Sequence, residues 1–452
     1  MILRTTQSLC PFCLRRLDAT YVQENGDVFL QKHCPDHGSF STLIWRKDSN
    51  ALDFSAWTMP KTPSYPSAPA TQVHLSCPFD CGLCPEHGQH TCTALLEVTS
   101  RCNLNCPVCY AGSGGKTPPP DPELAELKAL LAKHRERTGP CTLQISGGEP
   151  TLRDDLPALL NWARTLNFSL LQLNTNGLRL AQEPGYAERL ANAGLQSVYL
   201  QWDGCRDESF RQLRGRPCLA VKKKALEHCA QAGLGIVLVA TIVKGVNDAE
   251  LGDLLRFALS QGPCVRGLHL QPAAFFGRSP WPLLTSPRLT LPEVITALAT
   301  QAPELVSPSD VHPPCCENEL CSFSAVYARS NDNRLIRLGE HASCTCQEEP
   351  ITAYEGANRS RNFTKLHWNA PQNVEQEEQS AKEAFSAFLA QAGLSRRFTL
   401  SAMAFQDALS LDLARVRGCC IHVLKRDGRM IPFCLHNMTA VDGRRLYPDD
   451  CN

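Results

Sequence analysis

Three cysteines at spacings of four and three residues form the most informative segment of the chain. Cys102, Cys106 and Cys109 stand in the sequence Cys-Asn-Leu-Asn-Cys-Pro-Val-Cys, after a short apolar run and directly before Tyr110. A [4Fe–4S] cluster needs four ligands, and ferredoxin sequences supply four cysteines. This loop offers three, so we expect the fourth iron to accept a chelating ligand such as the amino and carboxylate groups of a methionine moiety. The alternative for this spacing is a zinc knuckle with a remote fourth ligand.

Two further cysteine groups precede this loop. The nearer group offers four thiolates for a cubane or a zinc ion, and its irregular spacing favours an iron–sulfur cluster: Cys77, Cys81, Cys84 and Cys92. The group nearer the amino terminus predicts a ribbon that binds one metal ion through three cysteines and a histidine: Cys10, Cys13, Cys34 and His37. That ion is either a structural zinc or a rubredoxin-like iron that passes electrons.

The remaining cysteines divide into two sets. Several lie in the last third of the chain, where we expect a further cluster held by Cys316, Cys321, Cys420 and Cys434. Others lie within the central region and are expected to be packed as small apolar residues: Cys141, Cys205, Cys218, Cys229 and Cys264.

Alternating strands and helices must position the three-cysteine loop. Six apolar segments between 94 and 271 predict strands, and five amphipathic segments between them predict helices. Such alternation implies parallel pairing through right-handed crossovers, in an open sheet or a partial barrel. Functional side chains should then lie at the carboxyl ends of the strands. Farther on, residues 374–391 predict a helix, and Cys419 to Phe433 predicts a hairpin that turns at Asp427-Gly428.

Polar motifs follow the predicted strands in order, and with the cysteine loop they resemble the radical SAM superfamily. Ser146-Gly147-Gly148-Glu149-Pro150 ends the second strand, and Asn174-Thr175-Asn176-Gly177 ends the third. In that superfamily the first motif lies along the amino group of S-adenosylmethionine. The resemblance implies a cofactor site formed by Tyr110, Ser146, Gly147, Gly148, Glu149, Asn174, Asn176, Gln201, Asp203, Thr241 and Gln271.

The order of the metal motifs resembles a narrower group, the archaeal tetraether lipid synthase and the radical SAM enzyme that methylates a dihydropterin. A Cys-Pro-x-Cys ribbon, a four-cysteine block and the three-cysteine loop are followed by Ile431-Pro432-Phe433-Cys434. This resemblance runs from about Cys10 to about Asn437. It implies one radical [4Fe–4S] cluster, one or two auxiliary clusters and one mononuclear iron or zinc.

The composition limits the alternatives. The chain has 452 residues, 43% of them hydrophobic, and its 45 basic and 45 acidic residues leave no net charge. A neutral chain lacks the basic field that nucleic-acid binding needs. We also expect no transmembrane segment, since no apolar run approaches about 20 residues, and no export signal, since Met1 to Cys10 contains no apolar h-region. A cytoplasmic location follows, with association at the membrane if the substrate is a lipid.

We therefore predict an α/β protein with a partial (β/α)6 TIM-like barrel. The predicted divisions are a metal ribbon (1–59), a proline-rich linker (60–76), an auxiliary cluster segment (77–93), the barrel (94–280) and a cysteine-rich carboxyl-terminal domain (281–452). The resemblance implies cleavage of S-adenosylmethionine to a 5′-deoxyadenosyl radical. Hydrogen abstraction from an unactivated carbon would then lead to C–C bond formation or methylation of a lipid or pterin-like substrate.

Two other functions fit parts of the pattern. One is a peptide-modifying radical SAM enzyme with auxiliary clusters, and the other is a non-enzymatic iron–sulfur or zinc-ribbon protein. A radical SAM enzyme also needs an electron donor such as flavodoxin or ferredoxin, besides its small-molecule or lipid substrate. Binding of a leader peptide would favour the first alternative, and zinc without iron would favour the second.

Overall fold

The computed structural model describes residues 1–47, 52–114, 118–329, 335–337, 350–369 and 396–447. The chain begins with an antiparallel sheet in the order β1-β2-β3-β4. Alternate side chains are buried along the two central strands, as expected for a sheet with one covered face. The strands are β1 (Ile2–Leu9), β2 (Arg16–Glu24), β3 (Asp27–Cys34) and β4 (Gly38–Trp45), and a short β5 (Lys61–Thr62) follows.

Six parallel strands form the centre of the molecule and confirm the predicted partial barrel. Their residues are almost continuously buried, because helices cover one face and the other face is the barrel interior. Neighbours along the chain are neighbours in the sheet throughout this run. The strands are β6 (Thr93–Glu97), β7 (Thr142–Ser146), β8 (Leu170–Thr175), β9 (Ser197–Gln201), β10 (Gly235–Ile242) and β11 (Val265–Pro272).

Eight helices connect or follow these strands. They are α1 (Leu124–Thr138), α2 (Leu156–Thr165), α3 (Leu178–Gln182), α4 (Tyr186–Asn192), α5 (Asp207–Arg214), α6 (Leu219–Gln231), α7 (Leu251–Ser260) and α8 (Leu291–Gln301). The five predicted helices are among them, whereas α3, α5 and α8 are additional. Helix α1 ends where Gly139 takes a positive φ of 67°, a conformation that glycine adopts readily.

The carboxyl-terminal third extends the same sheet at both edges. Strand β15 pairs in parallel with β11, and β16 pairs in parallel with β6. The antiparallel β16–β17 pair confirms the predicted hairpin. The elements are β12 (Ser322–Arg329), β13 (Leu335–Arg337), β14 (Ile351–Thr352), α9 (Ala353–Trp368), β15 (Arg396–Met403), α10 (Leu413–Arg417), β16 (Ile421–Leu424), β17 (Met430–Pro432) and α11 (Phe433–His436).

Helix α9 lies across the amino-terminal ends of the barrel strands. The Thr364 hydroxyl is 3.1 Å from that of Thr142, the first residue of β7. The Arg266 guanidinium, near the start of β11, donates to the carbonyl of His367 over 2.9 Å. Helix α9 therefore closes the end of the sheet opposite to the three-cysteine loop.

The concave face of the sheet carries rings and amides. The rings of Tyr199 on β9 and His269 on β11 are 5.7 Å apart, although β10 separates the two strands. A contact across an intervening strand requires the sheet to curve toward that face. Gln144 donates to Gln172 over 2.5 Å, and Gln172 donates to Ser197 over 3.0 Å. The barrel interior is therefore partly polar and hydrogen-bonded.

Two features complete the description. The helix predicted over 374–391 lies outside the described residues, as do Cys344 and Cys346. In the part of the chain that is described, we find no helix long and apolar enough to cross a membrane.

Candidate active site and metal centres

The three-cysteine loop is attached to the end of β7 through backbone hydrogen bonds. The amide of Gly148 donates to the carbonyl of Thr99 over 2.7 Å, and the amide of Glu149 donates to the carbonyl of Arg101 over 2.8 Å. A Cβ on Gly147 would lie 2.3 Å from the Thr99 oxygen, and Gly147 also has a φ of 129°. The two glycines therefore permit close backbone approach, and the backbone that approaches them is that of the loop.

Glu149 connects the ends of β7 and β8. Its side chain is buried, and one oxygen accepts from the hydroxyls of Thr151 and Thr175 over 2.6 and 2.7 Å. The other oxygen accepts from the amide of Asn176 over 2.7 Å. A buried carboxylate that accepts hydrogen bonds from several neutral donors can also attract a cation such as an ammonium group.

Ser146, Asn174 and Tyr110 meet beside this carboxylate. The Tyr110 and Ser146 hydroxyls are 3.2 Å apart, and the Asn174 amide donates to Ser146 over 3.5 Å. The side-chain oxygen of Asn174 is buried and has no hydrogen-bond partner. A buried acceptor without a partner is costly, and a cofactor that offers N–H or O–H groups would satisfy it. These residues therefore fit the S-adenosylmethionine site that the sequence predicted.

Asp203 and Arg214 form a buried ion pair under the cysteine loop. The guanidinium donates to both carboxylate oxygens over 2.7 and 2.6 Å. It also donates to the carbonyl of Val108 over 2.9 Å and to the hydroxyl of Thr241 over 3.0 Å. Burial raises the pKa of the Cys106 thiol, and the nearby Arg214 cation opposes that rise. Arg214 thus both supports the loop and favours thiolate at Cys106.

A second buried cation lies beside this pair. The Lys222 ammonium donates to the carbonyl of Asn176 over 2.8 Å and to the side-chain oxygen of Gln201 over 2.9 Å. Burial lowers the pKa of Lys222 to about 8, although the carboxylate of Asp203 acts in the opposite direction. Gln201 and Asp203, both predicted to bind cofactor, are therefore held in place by these two cations.

Residues after β11 form hydrogen bonds with the other side of the three-cysteine loop. Cys109 and Arg278 exchange two backbone hydrogen bonds of 2.9 and 2.8 Å, and the Arg278 guanidinium donates to the carbonyl of Cys106 over 2.6 Å. Gln271, predicted to bind cofactor, lies near the carboxyl end of β11 and pairs with Thr241 of β10. The cysteine loop is therefore held from three strand ends at once.

The ribbon brings together all four of its predicted ligands. The Cys13 and Cys34 sulfurs are 3.9 Å apart, and the His37 Nδ1 lies 3.6 Å from the Cys10 sulfur and 3.4 Å from the Cys34 sulfur. A tetrahedral ion with metal–ligand bonds of about 2.0–2.3 Å separates its ligand atoms by roughly 3.3–3.8 Å. The side chains present therefore fit one mononuclear ion.

The structure gathers Cys92 with cysteines of the carboxyl-terminal third. The sulfurs of Cys92, Cys316 and Cys420 lie within 4.8 Å of one another, and all three residues are buried. The sequence instead predicted one set with Cys77, Cys81, Cys84 and Cys92, and a separate set with Cys316, Cys321, Cys420 and Cys434. The reason for the difference is the pairing of β16 with β6, which places Cys420 and Cys92 at the starts of adjacent strands.

The other predicted ligands of these sets lie in separate surroundings. Cys77 and Cys81 pack in a cluster that includes Ile431 and Tyr447. The Cys321 sulfur accepts from Arg415 over 3.4 Å, and the Cys434 sulfur accepts from the amide of Gln406 over 3.3 Å. Among the groups tight enough to hold one ion in the described part of the chain, only the ribbon set and the Cys92 set appear.

Three cations of the site were not found from sequence: Arg214, Lys222 and Arg278. Lys222 begins a run of three lysines that looks like a solvated surface, yet Lys222 is buried while its two neighbours are exposed. Arg214 is followed by Gly215, which ends a helix that the sequence analysis missed. Recognition of that helix would have placed a basic residue beside the end of the fourth barrel strand.

Comparisons with known proteins agree with this geometry. Residues 96–258 match the family model of the radical SAM superfamily, and residues 2–46 match that of the HMPTM N-terminal zinc ribbon domain. The 7,8-dihydro-6-hydroxymethylpterin dimethyltransferase of Methanocaldococcus jannaschii is 32% identical, over 96% of this chain and 93% of its own length. A probable GTP 3′,8-cyclase of Methanothermobacter thermautotrophicus is 28% identical, over 41% of this chain and 59% of its own.

A solved structure is similar over about half of the chain. Streptococcus suis SuiB bound to S-adenosylmethionine matches with a TM-score of 0.38 and 17% identity, covering 49% of this chain and 55% of that one.

Proposed function

The chain belongs to the radical SAM superfamily and to the family of 7,8-dihydro-6-hydroxymethylpterin dimethyltransferase, and from that premise we propose that it methylates a pterin-like small molecule. The single observation that carries the proposal is the 32% identity over 96% of the chain, which includes the ribbon and the carboxyl-terminal third. Similarity over nearly the whole chain favours a pterin substrate over a lipid substrate. The sequence motifs alone did not distinguish these two substrates. The protein is a radical SAM enzyme, and its substrate is the proposed part.

The cofactor site proposed here joins the three-cysteine loop to the strand ends. Cys102, Cys106 and Cys109 would hold a [4Fe–4S] cluster, and Glu149 with Asn174 would orient S-adenosylmethionine beside it. When bound, the cluster and S-adenosylmethionine supply a carbon-centred radical that can take hydrogen from an unactivated carbon. The side chains contribute positioning, because a reacting carbon must be held close to the radical and away from water.

The other centres of the proposal are assigned from the described contacts. The ribbon would hold one zinc or iron ion, and an auxiliary centre would be held by Cys92, Cys316 and Cys420. Cys77, Cys81 and Cys84 would contribute to a further cluster. Such centres can pass electrons from a donor such as flavodoxin or ferredoxin. The described cysteines are free thiols, which suits a reducing compartment such as the cytoplasm.

The test of the radical chemistry uses protein purified and reconstituted without oxygen. With dithionite and S-adenosylmethionine, the wild type should form 5′-deoxyadenosine, measured by mass spectrometry. Cys106→Ala should abolish this product and lower the iron content by one cluster. Cys264→Ala, at a partly buried cysteine outside every proposed ligand set, should change neither.

The test of the substrate adds 7,8-dihydro-6-hydroxymethylpterin deuterated at its ring carbons. A methylated pterin, or transfer of deuterium into 5′-deoxyadenosine, would support the proposal. Deuterium transfer from an isoprenoid lipid or a peptide instead of the pterin would contradict it while leaving the radical chemistry intact. Wild-type protein that forms no 5′-deoxyadenosine despite full iron loading would contradict the mechanism itself.

A further inference from the structure

A cavity of about 450 Å³ lies between the concave face of the sheet and helix α9. The strands contribute His269, Thr399 and Ser401 to its wall, and the helix contributes Phe363 and Trp368. The volume falls within the range of small-molecule pockets, about 300–1,000 Å³. It lies apart from the cofactor residues described above, none of which is part of its wall.

Two polar atoms in the cavity wall are buried and have no hydrogen-bond partner: the Thr399 hydroxyl and the Trp368 indole nitrogen. Thr399 is 1% exposed. Most buried polar groups in folded proteins are hydrogen-bonded, so each exception needs an explanation. Two such groups in one cavity are explained by a ligand that offers hydrogen-bonding atoms to both.

The cavity also offers flat apolar surfaces. The Trp368 ring is 5.3 Å from the ring of Tyr199, and Tyr199 stacks on His269. Burial lowers the pKa of His269 to about 4, so this imidazole is neutral at neutral pH. Phe363 lies in the same wall. Aromatic rings with a few fixed hydrogen-bonding groups are the usual lining for a planar heteroaromatic ligand.

Opposite charges stand elsewhere in the wall. Glu317 and Arg359 both line the cavity, and one Glu317 oxygen accepts from the Ser322 hydroxyl over 2.5 Å. An amino-pyrimidinone ring presents adjacent N–H donors and a carbonyl acceptor. A carboxylate and a guanidinium are complementary to those groups.

The height of the cavity along the strands suits a substrate of the cofactor site. His269 precedes Gln271 by two residues on β11, so both side chains face the same side of the sheet, roughly 7 Å apart along the strand. A ligand beside His269 would therefore lie below the carboxyl ends of the strands, on the face that those ends enclose. Cys316 of the proposed auxiliary centre lines the same cavity.

We propose that this cavity binds the pterin substrate, with its ring against Trp368 and Phe363. In this assignment Thr399 and the Trp368 indole hydrogen-bond to the ring, and Glu317 accepts from its amino-pyrimidinone edge. The assignment rests on the proposed function for the identity of the ligand. It adds the location and the residues that select it, none of which lies in the three-cysteine loop.

The test measures pterin affinity rather than turnover. Reconstituted holoenzyme is titrated without oxygen with 6-hydroxymethylpterin, and binding is followed by the fluorescence of the pterin and by calorimetry. Thr399→Val, Trp368→Phe and Glu317→Gln should each weaken binding by at least tenfold, about one lost hydrogen bond. Thr399→Ser, which keeps the hydroxyl, should bind within threefold of the wild type.

Two matched controls come from the same molecule. Thr42 in the ribbon and Trp202 on the outer face of the barrel also carry buried polar atoms without partners, but neither lines the cavity. Thr42→Val and Trp202→Phe should therefore leave pterin affinity unchanged. Iron content and uncoupled 5′-deoxyadenosine formation verify that each variant is folded and loaded.

The possible outcomes separate this inference from the proposed function. Weaker binding in the cavity variants with normal binding in the controls supports the assignment. Normal pterin binding in all folded cavity variants overturns the location and leaves the proposed function standing. A loaded wild-type enzyme that cleaves S-adenosylmethionine but binds no pterin overturns the pterin substrate, and this assignment with it.

Discussion

The Arg214 guanidinium joins the cysteine loop to the strand ends. It contacts both oxygens of a carboxylate that is fully buried, and it also holds the carbonyl of Val108. A planar guanidinium can make these contacts together, whereas a lysine ammonium cannot form the bidentate pair. Arg214 thus pairs with the charge of Asp203 and also fixes the position of the cysteine loop.

Arg214→Lys should weaken binding of the iron–sulfur cluster to the protein. We expect lower iron retention during desalting and at least tenfold slower 5′-deoxyadenosine formation, because Asp203 and the Val108 carbonyl lose hydrogen bonds. The measurements are iron per chain and product by mass spectrometry. Arg211→Lys, an exposed position on the same helix, is the control. Equal iron retention in Arg214→Lys and the wild type would disprove the role.

At the scale of elements, the turn after β7 decides where the cysteine loop can lie. Gly147 and Gly148 allow the backbone of the loop to approach the strand end, and Cβ atoms there would lie 2.3 and 2.2 Å from carbonyl oxygens of Thr99 and Arg101. Real Cβ atoms do not approach backbone oxygens so closely, so the loop would have to move.

Gly147→Ala should therefore displace the loop. The expected result is loss of most 5′-deoxyadenosine formation and destabilisation of about 2–4 kcal/mol, since a left-handed conformation and a clash with backbone both oppose the side chain. Gly139→Ala is the matched control, because Gly139 also has a positive φ but has no atom within 4 Å of its added Cβ. Because Gly139 also has a ψ of −164°, this variant should cost about 1–3 kcal/mol, but it should keep full activity. Thermal unfolding and product assays distinguish the two, and equal behaviour would refute the argument.

For the whole molecule, the ribbon is attached to the carboxyl-terminal third by buried polar contacts. The Lys32 ammonium donates to the carbonyls of Ala408 and Leu409 over 2.7 and 3.1 Å. The Tyr21 hydroxyl donates to Asp412 over 2.8 Å. Metal binding to the ribbon should therefore stabilise the carboxyl-terminal third as well as the ribbon itself.

Cys13→Ala should remove about one equivalent of zinc or iron and lower the melting temperature by at least about 5 °C. The measurements are elemental analysis and thermal unfolding of protein kept without oxygen. Cys264→Ala, outside the ligand sets, should keep its metal content. An unchanged melting temperature in metal-depleted Cys13→Ala would show that the ribbon folds and docks without its ion.

Buried neutral histidines should make the protein acid-sensitive. Burial lowers the pKa of His269 to about 4 and also lowers those of His134 and His367. Such a group binds a proton in the unfolded chain below pH about 6.5 but not in the folded chain, so stability falls as the pH decreases from about 6.5 to about 4.

His269 should contribute on the order of 1–2 kcal/mol of lost stability between pH 6.5 and pH 5. His134→Gln, remote from the cysteine groups, should show a smaller decrease in melting temperature over this interval than the wild type. The check is thermal unfolding at pH 7 and pH 5.5 in matched ionic strength. An identical pH dependence in both proteins would contradict the assignment of His134 as neutral and buried.

The sequence by itself determined the six parallel strands, the order of motifs at their ends and the grouping of four metal-binding side chains in the ribbon. These depend on local periodicity and on short spacings, such as the four residues from Cys102 to Cys106, which the chain fixes without reference to distant parts. The hairpin that turns at Asp427-Gly428 was predictable for the same reason. The domain boundaries and the cofactor contacts stay predictions.

Only the tertiary structure decided which distant residues meet. The pairing of β16 with β6 brings Cys420 to Cys92, and Cys316 joins them, across more than 200 positions of chain. Lys222 is buried and supports the barrel, although its place in a run of three lysines suggested a surface charge. Helix α9 forms a cavity with strands that are distant from it in the sequence. Hydrogen bonding between strand edges and packing of a helix on a curved sheet create these contacts, and neither leaves a local pattern in the sequence.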